Sequence, residues 1–290
     1  MTKWTLGWLV VARNTFKNWL KIIILLSFRS DSMTVHLRED NFKYNWKRIQ
    51  VLNHLVAKKI QLSETDLKIY PRENKVKFSF KNQILSFYGY QQNGWIQKEM
   101  TNFEYNKLHF SCKIVIDIGA NSGATSIYFA MNGAKKVIAV EPMPITYNYL
   151  TMNVQVNKLE SIIECINGAV LNSLDDKSIE VDCGNTGLGA KVSQNDPLAS
   201  TLKIPILNLN TLIKDLKETG IVIKMDCEGC EYSSILNLTP DTLFKIDEIM
   251  LEYHSGFRSI CSFLIRNNFS VELSDDFRKS VGIMYAKNNR

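Results

Sequence analysis

From Cys112 onward the sequence predicts an α/β fold with a mostly parallel sheet that ends in an antiparallel hairpin, preceded by a smaller α+β appendage. Three observations predict it. Short apolar runs at 113–118, 136–141, 162–166, 221–226 and 246–252 show little alternation, as strands buried on both faces do. The stretches between them have helical length and pattern, the signature of βαβ units. The last two runs, 269–273 and 281–286, are separated only by Ser274–Ser280. A parallel crossover needs a dozen or more residues, so that pair must be an antiparallel hairpin.

The chain has 290 residues, of which 45% are hydrophobic and 22% charged, which excludes intrinsic disorder as its organising theme. The net charge of +6 is unevenly placed. Residues 1–60 hold eleven Lys or Arg against three acids, and the remainder is slightly acidic. Within residues 1–30 an amphipathic helix is expected, with Arg13, Asn14, Lys17, Asn18 and Lys21 on one face and Trp4, Trp8, Leu9, Val11, Phe16, Trp19, Leu20, Ile23 and Ile24 around the rest. Its uncharged runs, Trp4–Ala12 and Ile22–Phe28, are too short to span a bilayer, and no signal-peptide pattern is present. Two uses of residues 1–28 stand side by side: packing on protein, or peripheral contact with a membrane, whose anionic lipid would meet the basic stripe.

Residues 31–110 form the expected α+β appendage, with period-two alternation at 75–80 and 84–88 and punctuation at Pro71 and Gly89. Basic residues interleave there with Phe42, Tyr44 and Trp46, but no nucleic-acid-binding motif accompanies them, so no nucleic-acid partner is expected. Residues 111–290 make the expected second domain, which carries the βαβ pattern. The six cysteines are scattered rather than arranged as a disulfide framework, so a reducing, cytoplasmic location is expected.

The chemistry gathers at strand ends. Val115-Ile116-Asp117-Ile118-Gly119-Ala120-Asn121-Ser122-Gly123 reads as a buried strand, an acid and a glycine turn opening a helix capped by Asn121 or Ser122. A dinucleotide fingerprint would have glycine where Asn121 and Ala124 stand. Asp117 would also repel a phosphate at close range, by about 4 kcal/mol per unit-charge pair at about 4 Å and an effective dielectric of about 20. A cationic ligand without phosphate, such as S-adenosylmethionine, fits better. Glu141, at the end of the next strand, can accept two hydrogen bonds from a ribose diol.

Lys224-Met225-Asp226-Cys227-Glu228-Gly229-Cys230-Glu231 follows an apolar run, with Glu228 and Glu231 on one face if a helix starts there. Asp117, Glu141, Asp226 and Glu252 would then crowd one sheet edge. Cys227 and Cys230 form a lone CxxC, read as structural or incidental rather than redox-active or zinc-binding. Met250-Leu251-Glu252-Tyr253-His254-Ser255-Gly256 brings an imidazole, which titrates where a general base must work, to the same edge.

In their order, these blocks resemble those of the FkbM methyltransferase family over roughly residues 113–256. The first is Val115–Gly123; Glu141-Pro142 with Pro144, Leu150, Asn153 and Asn157 resembles the second, Ile223–Glu231 the central acidic motif, and Glu252-Tyr253-His254 the closing one. The two cysteines are unusual for that motif. The resemblance implies a Rossmann-like class I methyltransferase with a seven-stranded sheet, S-adenosylmethionine as cofactor, and methyl transfer, usually to a hydroxyl of a small-molecule, glycan or lipid-linked acceptor. It implies that Asp117, Gly119, Asn121 and Gly123 hold the methionine end of the cofactor, that Glu141 with Pro142 holds its ribose, and that Asn167, Gly168 and Ala169 lie by its adenine.

Asp226, Glu228 and His254 would face the acceptor, with His254 as base, Asp226 or Glu252 orienting it and Glu228 positioning the acceptor. No metal site is expected, and the loop 183–190, with three glycines, reads as either a mobile cover or a plain surface turn. Two rivals are a cofactor-binding protein without catalysis, acting at a membrane surface or with a partner, and a nicotinamide-dependent oxidoreductase.

Overall fold

The computed structural model describes residues 5–40, 42–64, 66–101, 103–171, 178–182, 201–274 and 280–290. The chain forms two compact units, Met1–Thr101 and Asn102–Arg290. The first contains α1 (Leu6–Thr15), α2 (Trp19–Ser27), β1 (Ser32–His36), β2 (Lys43–Lys47), α3 (Arg48–Ser63), β3 (Lys68–Tyr70), β4 (Lys75–Phe80), β5 (Gln83–Tyr88) and α4 (Ile96–Met100).

The single helix expected over residues 1–30 is two helices among the described residues. Phe16 leaves the helical region (φ −111°, ψ 136°) to bridge Leu37, and the side chain of Asn18 donates to the Thr34 carbonyl and accepts from the His36 amide. Burying Phe16 in the core outweighs continuing the helix, so Arg13, Lys17 and Lys21 do not share one helical face. Val11, Ala12, Phe16, Ile22 and Leu26 pack with Met33, Val35, Leu37, Trp46, Val51 and Leu55. At the edge of this core α3 buries His54 among the rings of Phe16, Trp46 and Tyr90, with Nδ1 2.9 Å from the Tyr90 hydroxyl. β3, β4 and β5 form a separate antiparallel sheet, whose alternation follows the sequence pattern.

The second unit opens with a 3₁₀ turn (Phe103–Lys107) and continues through β6 (Ile114–Ile118), α5 (Ala124–Met131), β7 (Lys136–Glu141), α6 (Pro144–Val156), β8 (Ile163–Asn167), β9 (Ala169–Val170), β10 (Ser178–Asp182), β11 (Thr201–Leu207), α7 (Leu209–Lys214), β12 (Ile221–Met225), α8 (Cys230–Ile235), α9 (Pro240–Lys245), β13 (Ile246–Tyr253), α10 (Arg258–Arg266), β14 (Phe269–Leu273) and β15 (Gly282–Asn288). Residues 102–110 group with this second unit. His109 donates its backbone N–H to Glu248, and Lys107 pairs with Glu272, both within the second unit.

Seven strands form one sheet in the order β14-β15-β13-β12-β6-β7-β8. β13, β12, β6, β7 and β8 are mutually parallel, and β15 runs antiparallel between β13 and β14. The central strands β6 and β12 are buried along their whole length, which is why their sequences do not alternate. The small sheet β10-β11-β9 was not foreseen, since β9 is two residues long and β11 contains Pro205. The loop 183–190 lies outside the described residues. Among the described residues no helix is long and apolar enough to cross a membrane.

Candidate active site

The chain leaves β6 toward β7 on one side of the sheet, while β12 continues to β13 on the other. The crevice beyond the carboxyl ends of β6 and β12 is thus a topological switch point, where ligands bind in open α/β sheets. Asp226 follows β12, and its N–H donates to the Ile118 carbonyl, tying the two strand ends together.

After β6 the backbone turns through Gly119 (φ 76°), Asn121 (φ 50°) and Gly123 (φ 90°). A Cβ on Gly119 would lie 1.8 Å from the Asp226 carbonyl oxygen, so only glycine fits this approach. Helix α5 starts at Ala124 with Gly123 as its N-cap, and no side chain caps it. The expected cap by Asn121 or Ser122 is not made: Asn121 Oδ1 accepts from the Ser122 N–H at 2.7 Å. Close packing of Gly123 on Leu150 sets the entry angle of the helix instead.

Asp117 is wholly buried. Its Oδ2 accepts from the Thr125 and Ser126 hydroxyls, each at 2.6 Å, and Oδ1 faces the Lys224 ammonium at 3.2 Å. Lys224 also donates to the Gly119 carbonyl. Burial alone would push the Lys224 pKa down, but the charges of Asp117 and Asp226 hold it above its ordinary value. The carboxylate expected at the methionine end of the cofactor is therefore engaged in fixing the turn, in which only Gly119 and Asn121 are not buried.

Glu141 is also buried. Oε1 accepts from the Met143 N–H and the Thr146 hydroxyl, and Oε2 from the Asn121 N–H at 2.9 Å. Each carboxylate oxygen has two lone pairs, so one acceptor position remains, on Oε2. That leaves room for one ligand donor, where the expectation was two. Burial raises its pKa against the opposing effect of those hydrogen bonds. Asn167 uses its amide to bridge the carbonyls of Glu141 and Pro142, while Gly168 packs on Leu207 and Ala169 pairs with Ile206. These residues form the rim after β7 and β8.

Across the crevice, His254 follows β13. Its Nδ1 lies 3.0 Å from Oε1 of Glu231, and its Nε2 lies 3.4 Å from Glu228 and 3.9 Å from Asp226. The expectation that Asp226 or Glu252 orients His254 is corrected: the orienting carboxylate is Glu231. Glu228 (φ 57°) sits in a left-handed turn before α8, so it shares no helical face with Glu231. Glu231, one residue into the helix, points inward and has no exposed surface. The Tyr232 hydroxyl donates to the Gly256 carbonyl and accepts from the Ser255 N–H, which fixes the loop carrying His254.

Burial pushes the His254 pKa down, but Glu231, Glu228 and Asp226 together hold it above 6.5. Glu252 is half-buried, and its pKa is raised by burial and by the charges of Asp226 and Glu228. One ligand-type atom each from Asp226, Glu228 and His254 lies within 4.8 Å of the others, close enough for a cation. Cys227 and Cys230, expected to be structural or incidental, form a disulfide, with Cα atoms 5.6 Å apart. The turn through Glu228 and Gly229 brings them into bonding range.

The edge as built suits a cationic, phosphate-free ligand: one acceptor position of Glu141 on one side, and carboxylates at 226, 228 and 252 on the other.

Residues 117–271 match the Methyltransferase FkbM domain. Curated relatives include protein arginine N-methyltransferase PRMT10 of Arabidopsis thaliana, 42% identical over 65 residues that make up 22% of this chain and 17% of that one. The histone-arginine methyltransferase CARMER of Drosophila grimshawi is 27% identical over 154 residues, 50% of this chain and 26% of that one. The chain thus spans about a quarter or less of the length of these relatives. Among solved structures, precorrin-6y C5,15-methyltransferase from Geobacter metallireducens GS-15 aligns over 67% of this chain and 88% of that one, at 14% identity and a TM-score of 0.38.

Proposed function

The chain belongs to the FkbM methyltransferase family, and we propose that it transfers a methyl group from S-adenosylmethionine to a hydroxyl oxygen of a sugar, glycolipid or other small acceptor. The observation that carries this is the clamp of His254 by Glu231 at the switch point. A carboxylate only accepts, so Nδ1 carries the hydrogen of the neutral imidazole. The lone pair of Nε2 then faces the space beside Asp226 and Glu228, where it can take the proton of an acceptor hydroxyl.

When bound, S-adenosylmethionine supplies an electrophilic methyl group on a sulfonium centre. The backbone of 119–123 and the free lone pair of Glu141 Oε2 would hold it, with Asn167, Gly168 and Ala169 at the rim beside them. Asp117 and Lys224 keep that turn in place, and Glu228 positions the acceptor. The half-buried Glu252 adds negative charge near Asp226 and Glu228. Holding the acceptor oxygen in line accounts for most of the acceleration expected of such a site.

A second reading, a cationic nitrogen as acceptor, is favoured by the surplus of carboxylates and by the arginine methyltransferases among the relatives. The proposal includes a cytoplasmic location, which rests on the scattered spacing of the cysteines, while the Cys227–Cys230 disulfide weighs toward an oxidising compartment.

Calorimetric titration with S-adenosylhomocysteine, beside NAD, tests the cofactor. Micromolar-range binding of the former alone is expected, and binding of NAD alone would overturn the assignment. Screening hydroxylated glycans, lipids and guanidinium peptides then separates oxygen from nitrogen acceptors. His254→Ala should keep cofactor affinity and lose turnover, and unchanged turnover removes His254 from the mechanism.

A further inference from the structure

The two N-terminal helices pack one face and leave another bare. Val11, Ala12, Ile22 and Leu26 are buried in the core of the first unit. On α2, Leu20 is 60% exposed and Ile24, one turn on, 53%; Phe28, a further turn along, is 82% exposed. On α1, Leu6 and Val10 repeat the same i, i+4 spacing and are exposed as well. Each helix therefore presents an apolar stripe outward although its packing needs inside the unit are met. A stripe of this size that core packing does not require marks an interaction surface.

The charges beside it select the occupant. Residues 5–30 contain no Asp or Glu, and Arg13, Lys21 and Arg29 are exposed on or next to the two helices. Lys21 lies beside Leu20 on α2, and Arg29 follows Phe28. The stripe lies on the solvent side of the two helices. It is shaped to enter a fluid apolar layer, with long basic side chains reaching back to a negatively charged surface.

We propose that residues 6–29 form a peripheral membrane-binding surface for anionic lipid, with Leu20, Ile24 and Phe28 entering the acyl boundary and Lys21, Arg13 and Arg29 meeting lipid phosphates. This surface is independent of the reaction assigned above. Its role is to hold the chain at a lipid surface.

The test is co-sedimentation of the full-length chain with phosphatidylcholine vesicles made with and without phosphatidylglycerol. Binding to the anionic vesicles is expected, weakened by high salt and reduced at least roughly tenfold in the Leu20→Glu/Ile24→Glu variant. Both positions are exposed, so the variant should fold; circular dichroism and S-adenosylhomocysteine titration on the same samples verify this. No binding to anionic vesicles by the folded wild type overturns the proposal, as does equal binding by the variant. A wild-type dimer in light scattering that the variant abolishes, with no vesicle binding, assigns the face to a second copy and also overturns it.

Discussion

The imidazole of His254 lies 3.0 Å through Nδ1 from Oε1 of Glu231, a carboxylate with no exposed surface. Among the described residues the other Glu231 oxygen has no hydrogen-bond partner, so the carboxylate is held in place by this contact and by the Cys227 N–H. A buried charge arranged in this way fixes both the tautomer and the titration of its neighbour.

Glu231→Gln should therefore act on rate and pH dependence together. The His254 pKa stands above 6.5, so activity that needs the neutral imidazole rises with pH through that raised value. Removing the Glu231 charge moves this limb to lower pH and reduces the maximal rate at least roughly tenfold. A full pH–rate profile of both proteins reads the two effects, and an unmoved limb would sink the assignment.

Lys224→Met leaves Asp117 charged and buried with only hydroxyl partners. The expected loss is about 3–5 kcal/mol, as for other buried pairs broken on one side. Adding Asp117→Asn should recover part of it, and urea unfolding of all four proteins gives the coupling.

Gly119→Ala places a methyl group against the Asp226 carbonyl at a backbone φ of 76°. Destabilisation of at least about 2 kcal/mol is expected from strain and displacement together. Thermal unfolding measures it, and cofactor-product affinity should fall in parallel because the turn moves.

Glu141→Gln puts an amide where the Asn121 and Met143 N–H groups need acceptors. Affinity for S-adenosylhomocysteine should drop roughly tenfold, the worth of about one charge-assisted hydrogen bond. Unchanged affinity in calorimetry would remove Glu141 from the binding set.

His54 supplies a prediction about stability. Burial holds its pKa down at about 3. The unfolded chain binds a proton near pH 6.5 and the folded one does not, so the stability this neutral histidine allows is present above that pH. It is lost as pH falls from about 6.5 toward about 3, with a slope near 1.4 kcal/mol per pH unit. Urea unfolding at pH 7 and pH 5 should show this loss, and His54→Phe should flatten it.

The sheet was legible because its strands are buried on both faces: Ile114–Ile118 and Ile221–Met225 appear as apolar runs broken only by Asp117 and Lys224 in sequence and as fully buried strands in space. The closing hairpin was legible because too few residues separate its strands for any other connection. The break at Phe16 was not, since local pattern favours continuing the helix and only pairing with Leu37 stops it. The Cys227–Cys230 bond was missed for a similar reason: a CxxC does not itself reveal the left-handed turn that closes it.

The sequence by itself determined that a carboxylate-rich edge with a glycine turn, Glu141, Asp226, Glu228 and His254 would gather beyond the parallel strands, because strand ends follow from apolar runs and ligand crevices follow from strand ends. Only the tertiary structure decided which carboxylate does what. Asp117 turns to Thr125, Ser126 and Lys224, Glu141 spends three of its four lone pairs on the chain, and Glu231 rather than Asp226 holds His254. Those assignments depend on partners up to 107 positions away in sequence, as for Asp117 and Lys224, and on burial, which makes each unsatisfied oxygen costly enough to select its partner.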